Sequence, residues 1–326
     1  MDLEVLHALR AWQESEQPVW LVTVVQTFGS SPRPPGAMLV LRGDGLRVGS
    51  VSGGCIEDDL SRRAQEGGLP SGRAETLIYG VTREEAQHFG LPCGGTLRLV
   101  VEPVRRAGWT DELLAHVAAQ RLVRRELHLP TLRVTLGDAA RGDGVSFDGE
   151  RLVTVHGPRW RLLIIGAGQT SAYLAQMAQA LDYQVLVCDP REEMRQTWNV
   201  PGTVLLTDMP DDAVTAIRPD AHTAIVALTH DPKLDDMALL EALKSPAFYV
   251  GALGSHRNNA QRRQRLALFD LSREEIDRLH GPVGLPIGSR TPPEIAVSIL
   301  AHLISVRNQS ARVHDLVAPT AQEVCS

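Results

Sequence analysis

The stretch RLLIIGAGQTS, residues 161–171, decides the fold. An apolar run ends in Gly166-Ala167-Gly168, and an amphipathic segment follows from Gln169. Strand, glycine turn and helix in that order form a dinucleotide-binding turn of the Rossmann type. The first glycine permits the tight turn, and the second lets backbone approach a pyrophosphate at the helix N-terminus. Ser171 stands in place of the third glycine and is small enough for that packing contact. Asp189 closes the next apolar run, 23 positions after Gly166, where an acidic side chain can bind ribose hydroxyls. Gly166, Gly168, Gln169 and Asp189 are therefore candidate nucleotide contacts. A Rossmann scaffold whose pocket is empty or repurposed is the plainer alternative.

Outward from this turn the pattern repeats. QVLVCD, TVLLTD, TAIVAL and FYVGAL read as further short strands, with helices starting near Thr170, Arg191, Met209 and Lys233. Strand alternating with helix predicts a parallel, doubly wound sheet over about residues 161–307. Gly254 and Ser255, with Arg257 nearby, suit an anion at a helix start. Arg262, Arg263 and Arg265 beyond them read as a solvated basic face. Thr291, Pro292 and Glu294 make a helix start of N-cap, N1 and N3, and Arg290 just upstream is a candidate ligand contact.

The first half differs. It opens with Val5, Leu9 and Trp12 at helical spacing, then the strand VWLVTVVQT and a hairpin turning at Asp44-Gly45. DELLAHVAAQRLVRREL, residues 111–127, reads as one helix. His156-Gly157-Pro158 is the natural boundary, so the expected class is α/β: an N-terminal mixed α/β domain, residues 1–157, then a Rossmann-like parallel-sheet domain, residues 158–326.

Two of the four cysteines sit beside glycine pairs. Ser52-Gly53-Gly54-Cys55 leads into a predicted helix whose N-terminal field favours a thiolate. Cys93-Gly94-Gly95 forms a second bare turn. Such thiols can hold or pass on a soft metal or sulfur. Cys188 fits a small buried hydrophobe, and Cys325 has no evident role. Arg33, in the stiff loop GSSPRPPG, is a candidate for a phosphate or a pterin edge. No CxxC, HxxH or HExxH spacing of the zinc type occurs.

Composition sets outer bounds. The chain has 326 residues, 43% hydrophobic and 22% charged, with a net charge of -6. That balance argues against a nucleic-acid partner. No apolar run approaches the roughly 20 residues of a membrane span, and the acidic, amphipathic start does not read as a leader. Four scattered cysteines fit a reducing compartment, so a cytoplasmic location is expected.

Taken together, GSSPRPPGAMLV, GSVSGGCIE, GLPCGGTLRLVVEP, IIGAGQTS, LTHDPKLDD, YVGALGSHRNNAQRRQRL and GLPIGSRTPPEIAVSIL resemble the XdhC/CoxI family over about residues 20–303. Members are accessory factors of xanthine dehydrogenase and related molybdenum hydroxylases. The resemblance implies a chaperone without turnover of its own. Such a protein binds the molybdenum cofactor (molybdopterin, or its cytosine dinucleotide form), protects it, supports its sulfuration and helps insert it. The implied partners are a molybdenum hydroxylase client, a cysteine desulfurase and a cofactor-biosynthesis protein, with a homodimer as the working expectation. By resemblance, Cys55 and Cys93 fall on the family's cysteine motifs, and Cys55 becomes a candidate transient molybdenum ligand. Pro286 and His302 stand where acidic residues are expected in many relatives. The competing reading is an NAD(P)-dependent oxidoreductase on the same Gly166 turn, with His230 as its proton donor.

Overall fold

Alternating burial along single strands shows how each sheet gathers its cores. In the computed structural model, which describes residues 2–15, 17–28, 33–80, 96–105 and 108–317, the chain divides between Pro158 and Arg159 into two units.

The first unit runs α1 (Asp2–Trp12), β1 (Val19–Phe28), β2 (Met38–Arg42), β3 (Arg47–Gly49), α2 (Cys55–Gln65), β4 (Glu75–Tyr79), β5 (Thr96–Pro103), α3 (Trp109–Ala118), β6 (Val123–His128), β7 (Arg133–Asp138), β8 (Ser146–Phe147) and β9 (Arg151–His156). One antiparallel sheet has the order β3-β2-β1-β5-β4, a second the order β7-β6-β9-β8. Trp20, Val22 and Val24 pack with Ile56 and Leu60 of α2, while Val19 and Leu21 on the opposite face pack with Leu6 and Leu9 of α1. Burial on both faces explains why β1 reads as an unbroken apolar run. The Asp44-Gly45 turn forms as expected, with Gly45 at φ 89.

One expectation fails here. Residues 111–127 are not one helix: α3 ends at Ala118, Gln120 turns with φ 58, and β6 begins at Val123. Leu113 and Val117 keep helical spacing, whereas Val123, Arg125 and Leu127 alternate inward as a strand does. The arginine at that inward position hid the period of two. Arg125 is buried, its Nη2 2.6 Å from Glu102 Oε2 and its guanidinium 4.2 Å from the Trp109 ring centroid.

The second unit runs β10 (Trp160–Ile165), α4 (Gln169–Ala180), β11 (Tyr183–Cys188), α5 (Glu192–Gln196), β12 (Val204–Leu206), α6 (Pro210–Ile217), β13 (Thr223–Ala227), α7 (Pro232–Lys244), β14 (Tyr249–Ala252), α8 (His256–Leu266), α9 (Arg273–Asp277), β15 (Leu279–His280) and α10 (Pro292–Val317). Its six strands are all parallel in the order β12-β11-β10-β13-β14-β15. This is the doubly wound arrangement, with its switch point between β10 and β13. Leu162 and Ile164 feed the core on one face, Leu163 and Ile165 that on the other. The five expected strands form. The sixth, β15, has two residues, too few to carry a period. Among the described residues no helix is long and apolar enough to cross a membrane.

The Glu102–Arg125 pair gives a test of the first unit. Arg125→Met strands a buried carboxylate and should cost about 3 kcal/mol in urea unfolding, most of it recovered by adding Glu102→Leu.

Candidate functional site

Strand register brings the strand ends that flank the motif loops of the first unit to one end of its larger sheet. Phe28, the last residue of β1, pairs with Thr96, the first of β5. Leu97 pairs with Tyr79 at the end of β4, and Leu39 with Gly49 at the end of β3. The connections 29–37, 50–54 and 80–95 therefore all leave from that end. These carry Arg33, the Ser52-Gly53-Gly54 turn and the Cys93 motif. Arg33 is half-buried. Cys93, Gly94 and Gly95 lie outside the described residues.

The turn before Cys55 is built around one carboxylate that the sequence motifs do not single out. Glu57 Oε1 accepts from Ser50 Oγ (2.8 Å) and from the amides of Val51 (2.9 Å), Ser52 (2.7 Å) and Gly53 (2.9 Å). Its Oε2 accepts from Gly54 N (2.8 Å) and from Ser52 Oγ. Burial alone would raise the pKa of this side chain. The hydroxyl and amide of Ser52, the amide of Gly53 and the hydroxyl of Ser50 outweigh burial and hold it down at about 2. The available signal was a Glu three residues past the N-cap, the spacing of a capping box.

Cys55 is the first residue of α2, exposed and free. Gly54 provides no side-chain cap, so the first-turn amides of α2 lack a side-chain acceptor. Gly53 needs its glycine for φ 95. A Cβ at Gly53 or Gly54 would meet nothing within 4 Å. Packing does not demand these two glycines, and the backbone beside the thiol stays open to an approaching group. One turn along α2, Asp59 accepts from Tyr79 OH (2.9 Å) and Arg63 Nε (2.7 Å), which fixes the helix to the root of the segment bearing Cys93.

In the second unit, parallel strands place their C-terminal loops along one edge. Gly166 turns at φ 106 against the backbone of Thr229, which a Cβ would meet at 3.0 Å. Gly168 is the N-cap of α4, again without a side-chain cap, and Gln169 is the exposed first residue. Ser171 is buried, as packing at the third glycine position requires. Asp189 is fully buried and its oxygens are engaged: Oδ2 accepts from Ala167 N (2.8 Å) and Arg191 Nη2 (2.8 Å), Oδ1 from Arg191 Nε (2.9 Å). Gly254 has φ 130, and Ser255 Oγ caps α8 by accepting from Asn258 N (3.2 Å). Arg290 is exposed, with its amide donating to Glu294 in the expected capping arrangement.

Arg262 departs from its expected solvated role. It is 5% exposed, donating to Asp235 (3.0 Å), Asp236 (3.0 Å) and the Leu253 carbonyl (2.9 Å). It thereby ties the start of α7 to the loop after β14. His302, in place of an expected acid, meets Tyr249 OH at 2.9 Å and packs edge-on against His280. His230 is exposed with φ 62. Among the described residues no group of three or more His, Cys, Asp or Glu is placed to hold a metal ion.

Known proteins resemble this chain along most of its length. A model of the XdhC and CoxI family matches residues 12–80, and one of the XdhC Rossmann domain matches residues 162–303. The molybdenum cofactor insertion chaperone PaoD of Escherichia coli K12 is 32% identical over 302 residues, 88% of this chain and 83% of PaoD. The chain belongs to the XdhC and CoxI family. A Bacillus subtilis protein, named as a probable xanthine dehydrogenase subunit, is 28% identical over 94% of this chain and 98% of its own. A Bacillus halodurans crystal structure, described as a xanthine dehydrogenase, matches with TM-score 0.69 at 25% identity over 98% of each chain.

The Glu57 geometry predicts a pH dependence. Its pKa is depressed when folded, so the stabilisation is fully present above its ordinary value of 4.5 and is lost as pH falls towards about 2. The contribution is about 3 kcal/mol. In urea titrations, Glu57→Gln should lower stability at pH 7 and flatten its decline between about pH 5 and pH 2.

Proposed function

We propose that the protein is a molybdenum cofactor insertion chaperone for a molybdenum hydroxylase of the xanthine dehydrogenase type. The observation that carries this reading is Cys55: a free, exposed thiol on a turn set by Glu57, with open space over Gly53 and Gly54. A soft sulfur ligand suits molybdenum, whose cofactor already binds it through dithiolene sulfur. The relationship to PaoD supports the same cargo.

In this reading Cys55 is the transient molybdenum ligand. Ser52, Gly53, Gly54 and Arg33 line the approach, and Cys93, Gly94 and Gly95 contribute a second thiol turn. Gly166, Gly168, Gln169, Asp189, Gly254, Ser255 and Arg290 belong to the nucleotide-type edge of the second unit. The cargo is molybdopterin or its cytosine dinucleotide form. A cysteine desulfurase supplies sulfur while the cofactor is held, a cofactor-biosynthesis protein loads it, and the client receives it. Delivery takes place in the cytoplasm, with a homodimer as the working unit. Binding and transfer need no general acid or base, which matches a site built from a thiol and glycine backbone.

Cys55→Ser tests this. The variant should melt within a few degrees of the parent, because the side chain is exposed. It should activate the apo-client to only a small fraction of the parent level. Equal activation by both proteins would remove the thiol from the mechanism.

A further inference from the structure

In a nucleotide-binding sheet of this order, an acidic side chain ending the second strand ordinarily accepts from the ribose diol. Here that position is Asp189, ending β11, and its carboxylate is already saturated. The Arg191 guanidinium grips it as a fork, Nε to Oδ1 at 2.9 Å and Nη2 to Oδ2 at 2.8 Å, while the amides of Ala167 and Arg191 add 2.8 and 3.1 Å bonds. Asp189 is 0% exposed, whereas the Arg191 side chain retains 29%. Among the described residues Nη1 of Arg191 has no hydrogen-bond partner. What this strand end presents to a ligand is a cation.

We infer that Arg191 is the ligand-contacting, specificity-setting residue of the second unit. It selects a phosphoryl group and excludes a ribose diol, while Asp189 serves as the strut that aims it. Two further features favour this assignment. Asp189 bonds the middle amide of Gly166-Ala167-Gly168, so guanidinium and glycine turn are held through one carboxylate. The first-turn amides of α4 lack a side-chain cap. Glu193 and Asp231 also lie close enough to add to the field that holds the charge on Arg191, and Asp231 Oδ1 caps α7 by accepting from Lys233 N at 2.9 Å, so an incoming anion must bind against both acids. An arginine fork already braced on one side loses little freedom when its outer nitrogen meets a phosphate oxygen.

Every group involved belongs to the second unit. The delivery reading enters only in naming the cargo's phosphate, a monoester or a diphosphate, as the natural occupant.

The test is isothermal titration of the full chain with inorganic phosphate, inorganic pyrophosphate, adenosine and NAD. It is repeated with Arg191→Gln, which can still bond Asp189, and with Asp189→Asn. The parent should bind at least one of the inorganic phosphates and leave adenosine unbound. The tighter of the two identifies monoester or diphosphate. Arg191→Gln should weaken that binding about tenfold or more while melting close to the parent. NAD should bind no better than pyrophosphate. Adenosine or NAD held tightly, with loss of affinity in Asp189→Asn, would overturn the assignment. So would unchanged phosphate affinity in Arg191→Gln, or a parent that binds neither phosphate. Pyrophosphate affinity measured on Cys55→Ser separates the two proposals, since phosphate binding here does not depend on that thiol.

Discussion

The carboxylate of Glu57 gathers four consecutive amides, Val51 to Gly54, and the hydroxyls of Ser50 and Ser52. Without it those donors would turn to water and the glycine pair would sample many backbone states. With it, the turn has one shape before any ligand arrives, and Cys55 starts α2 from a defined point. The interaction is worth so much because the group is buried and remains charged, each oxygen having several donors. Everything claimed for the thiol depends on this local order.

The same device recurs in the second unit. Asp189 holds the Ala167 amide behind the Gly166 turn, and Asp235 accepts from the amide and hydroxyl of Thr229 in the loop after β13. Arg262 then joins Asp235 to the Leu253 carbonyl, so the loops after β13 and β14 share one support. Bare, glycine-rich loops bind well only if their entropy is removed in advance. In each case a buried acid does this from behind, with Cys55 exposed beside the Glu57 turn and Arg191 half-buried beside Asp189.

How far this was legible from sequence depended on whether a signal was local. The parallel sheet could be read because strands such as RLLIIG and TAIVAL are short, apolar and separated by periodic helices. The two-residue β15 had no period to detect. The helix expected over residues 111–127 broke because Arg125 occupies an inward strand position, made tolerable by Glu102 and Trp109, both distant in sequence. Arg262 is buried for a similar reason: its partners, Asp235 and Asp236, lie 27 and 26 residues away. The Cys55 and Gly166 motifs announced themselves by composition. Glu57 and Arg191, which shape what those motifs present, stand two residues beyond Cys55 and Asp189, and their partners are set by the folded turns, with only the capping-box spacing of Glu57 visible in the sequence.

A chain that carries the molybdenum cofactor for delivery must hold both the metal and the pterin while it is folded. The direct measurement is molybdenum and pterin content of the intact protein, purified without oxygen from cells producing the cofactor and an inactive client. Metal and pterin should co-elute with the folded chain in equal amounts, the pterin released carrying its phosphate. Folded protein from the same cells, free of both metal and pterin, would contradict it.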